Sequence, residues 1–234
     1  MIVPGIDDAG QLEAIVGCGG DRIRWILCTH THPDHSPGAA ALKERTGAEV
    51  LAFESRDGLE VDTAIGDGFT IEATEFRLRA VHTPGHASNH LCYLLEEERL
   101  LFSGDHIMQG STVVIAPPDG DMAAYLDSLA LVRGLRLRTI APGHGHLVDE
   151  PNELIDDYVA HRLEREAQVL SAISDGDRTA ADVVARLYPE LIEELVPRAK
   201  QTVHAHLRKL VAAGPLQTQD VDDPDGEWFL QESA

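Results

Sequence analysis

The feature that most constrains this chain is the segment His30-Thr31-His32-Pro33-Asp34-His35, which places four potential metal ligands within six residues. Imidazole and carboxylate are the side chains that hydrolytic sites commonly use to hold zinc and comparable cations. The segment follows the short apolar run 23–28, which we predict to be a buried strand. Prolines and a glycine within residues 30–38 indicate a loop after that strand. Alternate residues of such a loop can direct two histidines to one ion and the Asp-His pair to another.

Three further motifs downstream supply additional ligands. TPGH ends at His86, SGDH contains Asp105, and PGHG contains His144. Each motif follows an apolar, strand-like run and includes a glycine that lets the backbone turn. Ligands at the ends of several strands converge on one rim, where α/β folds usually place their sites. The candidate metal ligands are therefore His30, His32, Asp34, His35, His86, Asp105 and His144.

Several polar residues beside these motifs are predicted to lie outside the ligand set. Asn89 is a candidate substrate contact, with a structural role as the alternative. The histidines expected to pack, to support ligands or to be solvated are His82, His90, His106, His146 and His161.

Interleaved strands and helices over residues 1–150 predict a layered α/β domain. Helices are predicted at 7–17, 39–46 and 122–133. Strands are predicted at 23–28, 49–53 and 137–140, and strand-like runs alternate with turns over 61–115. The composition changes near Asp149, which predicts a domain boundary at about residue 150.

Residues 151–234 are predicted to form a small second domain. Helices are expected at 152–174 and 180–188, followed by a third that Pro197 opens and that ends before Gly214. A two-stranded ribbon around the turn Asp-Pro-Asp-Gly comes next. Three helices followed by a β-hairpin is the order of a winged-helix module.

The third helix of this domain carries Lys200, His204 and Arg208 at i, i+4 and i+8, so they are predicted to line one exposed stripe. A winged helix would contact nucleic acid at such a position. The alternative is a solvated helix face, which the acidity of the chain favours. A winged helix on a hydrolase can also serve as a dimerisation arm, so a homodimer is among the expected arrangements.

The ordered set HTHPDH, TPGH, SGDH and PGHG resembles the metallo-β-lactamase-fold superfamily over about residues 3–150. The resemblance implies an αββα sandwich and a hydroxide between two metals as the nucleophile. It implies a first metal held by His30, His32 and His86. It implies a second held by Asp34, His35 and His144, with Asp105 bridging. The metals expected are two zinc ions, with iron or manganese as alternatives.

A narrower resemblance involves SGDHIMQGSTVVIAPPDGDMAAYLDSL, PGHGHLV and HRLEREAQVL, which look like the β-lactamase-like protein 2 group over nearly the full length. That group implies cleavage of single-stranded RNA, and its relatives imply thioester hydrolysis. A pair of divalent ions lowers the pKa of bound water from about 15.7 to near 7 and polarises a carbonyl or phosphoryl oxygen. Asp105 and Asp34 are the candidate catalytic residues, and either Asp34 or water supplies a proton to the leaving group.

The front of the chain departs from this resemblance. Superfamily members normally open with two or three strands before a segment like Ile2–Asp8, and Val3 stands where an aspartate is usual before Pro-Gly. The sandwich is therefore expected to be missing its first strands and to expose an unpaired sheet edge. Two explanations are expected, namely that the chain begins late or that a partner covers the edge.

The formal net charge of −21 repels polyanions at long range. The leading prediction is a dinuclear zinc hydrolase that cleaves a small ester or thioester. The alternatives are a single-stranded RNA endonuclease, a one-iron sulfur dioxygenase, and a nucleic-acid-binding regulator with a relic metal site. No run approaches the ~18–20 apolar residues of a membrane helix, and three separated cysteines suggest no disulfide framework. A cytoplasmic location is expected.

Overall fold

A computed structural model describes residues 1–231, and the last three residues of the predicted second domain lie outside the described residues. The helices are α1 (Ala9–Gly19), α2 (Gly38–Thr46), α3 (Met122–Arg133), α4 (Pro151–Ser174), α5 (Ala180–Leu187) and α6 (Val196–Ala213). The strands are β1 (Trp25–Leu27), β2 (Glu49–Ala52), β3 (Thr63–Ala64), β4 (Thr70–Glu72), β5 (Arg77–His82), β6 (Leu91–Leu95), β7 (Leu100–Gly104), β8 (Thr139–Pro142), β9 (Leu216–Thr218) and β10 (Trp228–Leu230).

Two sheets form the centre of the first domain. Strands β1, β2 and β3 make a three-stranded parallel sheet, and β4 to β8 make a five-stranded sheet in sequence order. In the larger sheet β4 to β7 alternate in direction, whereas β8 runs parallel to β7. Strands β5, β7 and β8 therefore share one direction, and the loops that follow them leave the sheet at the same end.

Apolar side chains hold these sheets face to face and cover them with helices. Leu27 and Leu51 of the smaller sheet pack with Leu78 and Tyr93 of the larger one in a buried cluster. A second cluster joins α1 and α2 to the outer face of the smaller sheet, and a third joins α3 to the larger sheet. The layers run helix, sheet, sheet, helix, which is the predicted αββα sandwich.

The C-terminal region folds as the predicted winged helix. The side chain of Thr179 accepts a hydrogen bond from the backbone of Asp182, whose carboxylate accepts from the Thr179 backbone, and this capping box starts α5. Strands β9 and β10 pair antiparallel as the wing. Trp228 of β10 is fully buried among apolar residues of α4, α5 and α6.

Helix α4 contributes to both cores. Ile155 and Tyr158 near its start pack in the core of the first domain, whereas Val169 and Ile173 pack in the winged helix. The boundary near residue 150 stays a prediction. Among residues 1–231, no helix is long and apolar enough to cross a membrane.

The edge of β1 differs from the expectation of an unpaired edge. The first residues run beside β1, where Leu27 donates to the Met1 carbonyl and Val3 donates to the Leu27 carbonyl, both at 2.8 Å. Ile2 and Leu27 form a parallel bridge. The expectation is wrong for β1 because these few residues satisfy its outer hydrogen-bonding groups. The smaller sheet has three strands among the described residues, and residues 1–3 run beside it.

Candidate metal centre

The first group of predicted ligands consists of His30, His32 and His86. His30 and His32 lie on the loop after β1, and His86 lies on the loop after β5. The His86 Nε2 and His32 Nδ1 atoms are 3.0 Å apart. The rings of His30 and His32 meet edge to face with centroids 4.5 Å apart. Two loops from different sheets thus bring three imidazoles to one point.

The second group consists of Asp34, His35, Asp105 and His144. The His35 Nε2 atom lies 3.2 Å from Asp105 Oδ1, and the His144 Nε2 atom lies 3.3 Å from Asp34 Oδ2. Asp105 follows β7 directly, and His144 follows β8. Strand direction therefore explains why motifs that are far apart in sequence meet here.

Asp105 lies between the two groups. Its Oδ1 atom faces His35 and His144, at 3.2 and 3.5 Å from their Nε2 atoms. Its Oδ2 atom is 3.9 Å from His86 Nε2 in the first group. One carboxylate therefore presents one oxygen to each group, which is the arrangement that a bridging ligand requires.

Buried polar atoms at this centre lack partners within the protein. His30 and His35 are each 1% exposed and Asp105 is 8% exposed. Among the described residues, His30 Nε2, His35 Nε2 and Asp105 Oδ1 make no hydrogen bond. Buried polar groups are ordinarily hydrogen-bonded, because an unsatisfied one costs about 1–3 kcal/mol. Nitrogen and carboxylate donors left without partners around two points fit two divalent cations.

A backbone carbonyl orients His86. The His86 Nδ1 atom lies 2.8 Å from the Val114 carbonyl oxygen. Because a carbonyl only accepts, Nδ1 carries the proton and Nε2 keeps its lone pair towards His32 and Asp105. Sequence reasoning missed this partner, since a backbone carbonyl carries no residue-type signal.

A buried histidine supports Asp105. His90 Nε2 accepts from the Asp105 backbone N–H at 3.3 Å, and His90 Nδ1 lies 2.9 Å from Thr83 Oγ1. Gly104, with φ of +50°, makes this close approach feasible because a Cβ there would meet His90 Nε2 and Thr29 at 2.8 Å. His90 therefore has the supporting role that the sequence predicted for it.

Burial sets the protonation states of these groups. Burial, with the neighbouring histidines, lowers the pKa of His30 well below its ordinary value. Burial also lowers the pKa of His86, although its hydrogen bond to Val114 acts in the opposite direction. Burial alone would raise the pKa of Asp105, but the close approach of His35 and the charges of nearby histidines outweigh it and lower that pKa. Neutral imidazoles and an ionised carboxylate are the forms that bind metal.

The remaining predicted residues lie around the centre without joining it. Asn89 is 2% exposed and donates from Nδ2 to Thr31 Oγ1 at 3.1 Å, while the Thr31 hydroxyl donates to Asp57 at 2.7 Å. Asn89 thus hydrogen-bonds to the loop after β1 that carries His30 and His32, and its side chain does not face the solvent. His106 is fully buried against Tyr125, and burial lowers its pKa to about 3. His146 and His161 are exposed, and His82 stacks on Phe53.

The predicted exposed stripe on α6 is wrong. His204 is 4% exposed, and its Nε2 atom lies 3.0 Å from the Val221 carbonyl oxygen. Lys200 pairs with Asp225 at 2.8 Å, and Arg208 pairs with Asp222. The segment between β9 and β10 folds over this face of α6, which helical periodicity alone does not reveal.

Comparisons with known proteins agree with this geometry. Residues 1–144 match the family described as "Metallo-beta-lactamase superfamily", and residues 179–228 match "Beta-lactamase associated winged helix domain". A "Beta-lactamase-like protein 2 homolog" from Drosophila melanogaster is 34% identical over 227 residues, which is 89% of this chain and 75% of that protein.

Two further comparisons concern activity and fold. An "Atrochrysone carboxyl ACP thioesterase" from Aspergillus fumigatus is 32% identical over 185 residues, covering 76% of this chain and 57% of that protein. The crystal structure of a metallo-beta-lactamase family protein from Thermus thermophilus superposes with a TM-score of 0.81, at 20% identity, over 98% of this chain and 89% of that one. The predicted fold class is confirmed by these matches.

Proposed function

The chain belongs to the metallo-β-lactamase superfamily and is a hydrolase, and from this we propose that it uses two zinc ions to cleave a small ester or thioester. The observation that carries the proposal is the position of Asp105, which presents one carboxylate oxygen to each of two ligand groups.

We assign the ligands by these groups. His30, His32 and His86 would hold the first ion, and Asp34, His35 and His144 would hold the second, with Asp105 shared. When bound, divalent cations lower the pKa of water towards neutrality and polarise a scissile carbonyl. Zinc fits imidazole and carboxylate donors, although iron and manganese accept similar sets.

The protein's own residues prepare this chemistry. Burial keeps His30 and His86 neutral, and the Val114 carbonyl aims the His86 lone pair into the cluster. Asp34 is exposed at the mouth of the centre beside His144, so its carboxylate is the candidate that takes the proton released by the attacking water and passes it to the leaving group.

The choice of a small acyl substrate over RNA has three supports. A relative at 32% identity is named as a thioesterase, although this chain spans only 57% of its length. The cationic side chains on α6 that would contact phosphates are already paired with Asp222 and Asp225 of this chain. The net charge of −21 adds a long-range repulsion.

Elemental analysis combined with a substrate panel tests the proposal. Protein purified without chelator should contain about two zinc ions per chain. It should hydrolyse acyl thioesters or lactones and leave single-stranded RNA intact. Metal content near zero after zinc reconstitution would defeat the proposal. A single iron per chain would indicate the dioxygenase alternative, and cleavage of RNA alone would indicate the nuclease.

A further inference from the structure

One side chain of α4 reaches from the winged-helix side into the catalytic region. Arg162 is 2% exposed, and its Nη2 atom donates to the Val113 carbonyl at 2.5 Å. The guanidinium lies over the Tyr125 ring, 5.3 Å from the ring centroid. Its charge is therefore placed against a backbone carbonyl and an aromatic face in the interior of the protein.

Such burial is costly for an arginine. Charged side chains are almost never fully buried unless they are paired, because removing them from water costs several kcal/mol. The Nε atom of Arg162 has no hydrogen-bond partner among the described residues. An apolar side chain would fill the same space at lower cost, so the hydrogen bond to Val113 needs a role beyond packing.

The carbonyl next along the chain supplies that role. Val113 and Val114 are consecutive, and the Val114 carbonyl accepts the proton of His86 Nδ1 at 2.8 Å. Arg162 thus fixes one peptide unit, and the following unit orients His86. The ring of His86 can aim Nε2 at the cluster only while the Val114 carbonyl stays in place.

We propose that Arg162 is a positioning residue for the first metal site, acting through the segment Val113–Val114 on the orientation and tautomer of His86. This inference rests on the proposed function in one respect, namely that His86 is a metal ligand. Outer partners of a ligating histidine fix its ring and tautomer, and their loss typically weakens metal binding 10- to 100-fold. The effect is confined to the first site, because within residues 1–231 no ligand of the second group hydrogen-bonds to Val113 or Val114.

Two single-site backgrounds make the effect measurable. Asp34→Ala/His144→Ala leaves the first site, and His30→Ala/His32→Ala leaves the second. Cobalt(II) affinity is measured in each by competition with a chromophoric chelator. Adding Arg162→Met should weaken cobalt binding about 10- to 100-fold in the first background. In the second it should change binding by no more than about threefold.

Arg165→Met is the matched control on the same helix. The Arg165 guanidinium lies over the Tyr188 ring in the winged helix, 4.5 Å from its centroid, and does not reach Val113. Its replacement should leave cobalt affinity within about threefold in both backgrounds. Arg162→Lys keeps a cationic donor on a shorter side chain. It should therefore also weaken cobalt binding only in the first-site background, but by a smaller factor. It replaces the Met variant if that variant does not fold.

A second readout needs no metal. The ring nitrogen shifts of His86 in the chelator-treated full-length protein should report a protonated Nδ1 in the wild type and a mixture of tautomers in Arg162→Met. Equal weakening in both backgrounds, or an unchanged tautomer, would overturn the inference. If the first-site background itself binds no cobalt, the proposed function fails, and the tautomer measurement still decides the role of Arg162.

Discussion

The metal centre and the outer face of α6 both concentrate polar side chains, but they differ in whether those side chains have partners within the protein. At the metal centre, buried atoms of His30, His35 and Asp105 have no partner among the described residues. On α6, Lys200 and Arg208 pair with acidic residues of the same domain. Unsatisfied buried groups are costly, and those at the metal centre belong to two groups of ligand-type side chains whose donor atoms lie within 4.8 Å of one another. This difference points to the first region as a binding site and to the second as a structural contact.

The largest effect is expected at the metal centre, from a substitution of Asp105. Asp105→Asn keeps the shape of the side chain and removes the charge that faces both ligand groups. We expect metal binding at both proposed sites to weaken by more than the about 10- to 100-fold that loss of an outer partner costs. Elemental analysis after dialysis and the rate on an acyl substrate would both report the loss.

His106→Gln is the control for this substitution. His106 adjoins Asp105 in the sequence, but it is buried against Tyr125, and its ring nitrogens have no hydrogen-bond partner in the described chain. The variant should lose stability through altered packing and retain its metals. Equal metal loss from both variants would mean that the SGDH motif has been misassigned.

These two regions also show what the sequence could reveal. The clustering of these His and Asp side chains was predictable because each motif joins a ligand-type side chain to a turn-forming glycine after an apolar strand. The order of the helices and wing was predictable from periodicity and turn signals. The support for His86 was not, because the Val114 carbonyl and buried Arg162 come together only in the folded chain. The His204 error has the same origin, since the segment that covers it follows 17 residues later.

An effect of intermediate size is expected on the pH dependence of stability, through the buried histidine His206 at the contact between α4 and α6. Burial lowers the pKa of His206, while Glu166 acts in the opposite direction and Arg162 and Lys209 add to the lowering. The unfolded chain, with a pKa near 6.5, therefore binds the proton more readily than the folded one. The free energy of unfolding should fall as pH drops below about 6.5, by at most about 1.4 kcal/mol per pH unit for this group.

Denaturant unfolding of the chelator-treated protein at pH 7.5 and pH 5.5 would measure this slope. His206→Gln should flatten it, because the variant has no proton to take up there. His146→Gln, at an exposed position, should leave the slope at its wild-type value. A wild-type slope in the His206 variant would show that other buried histidines account for the whole pH dependence.

The smallest effect on activity is expected from substitutions on α6, because its cations are already paired within the protein. Lys200→Ala/Arg208→Ala removes two cations that are paired with Asp225 and Asp222, so the rate on small substrates should stay within about twofold. Were these cations phosphate contacts, each loss would lower the salt slope of single-stranded RNA binding by about 0.7.

The opposite change, Asp222→Ala/Asp225→Ala, frees both cations and is the matched control. RNA binding in the wild type that only the first variant abolishes would place the substrate contact on α6. RNA binding that appears only in the second variant would mean that the acidic wing blocks a latent phosphate site. We expect neither, because the remaining acidic residues still repel a polyanion.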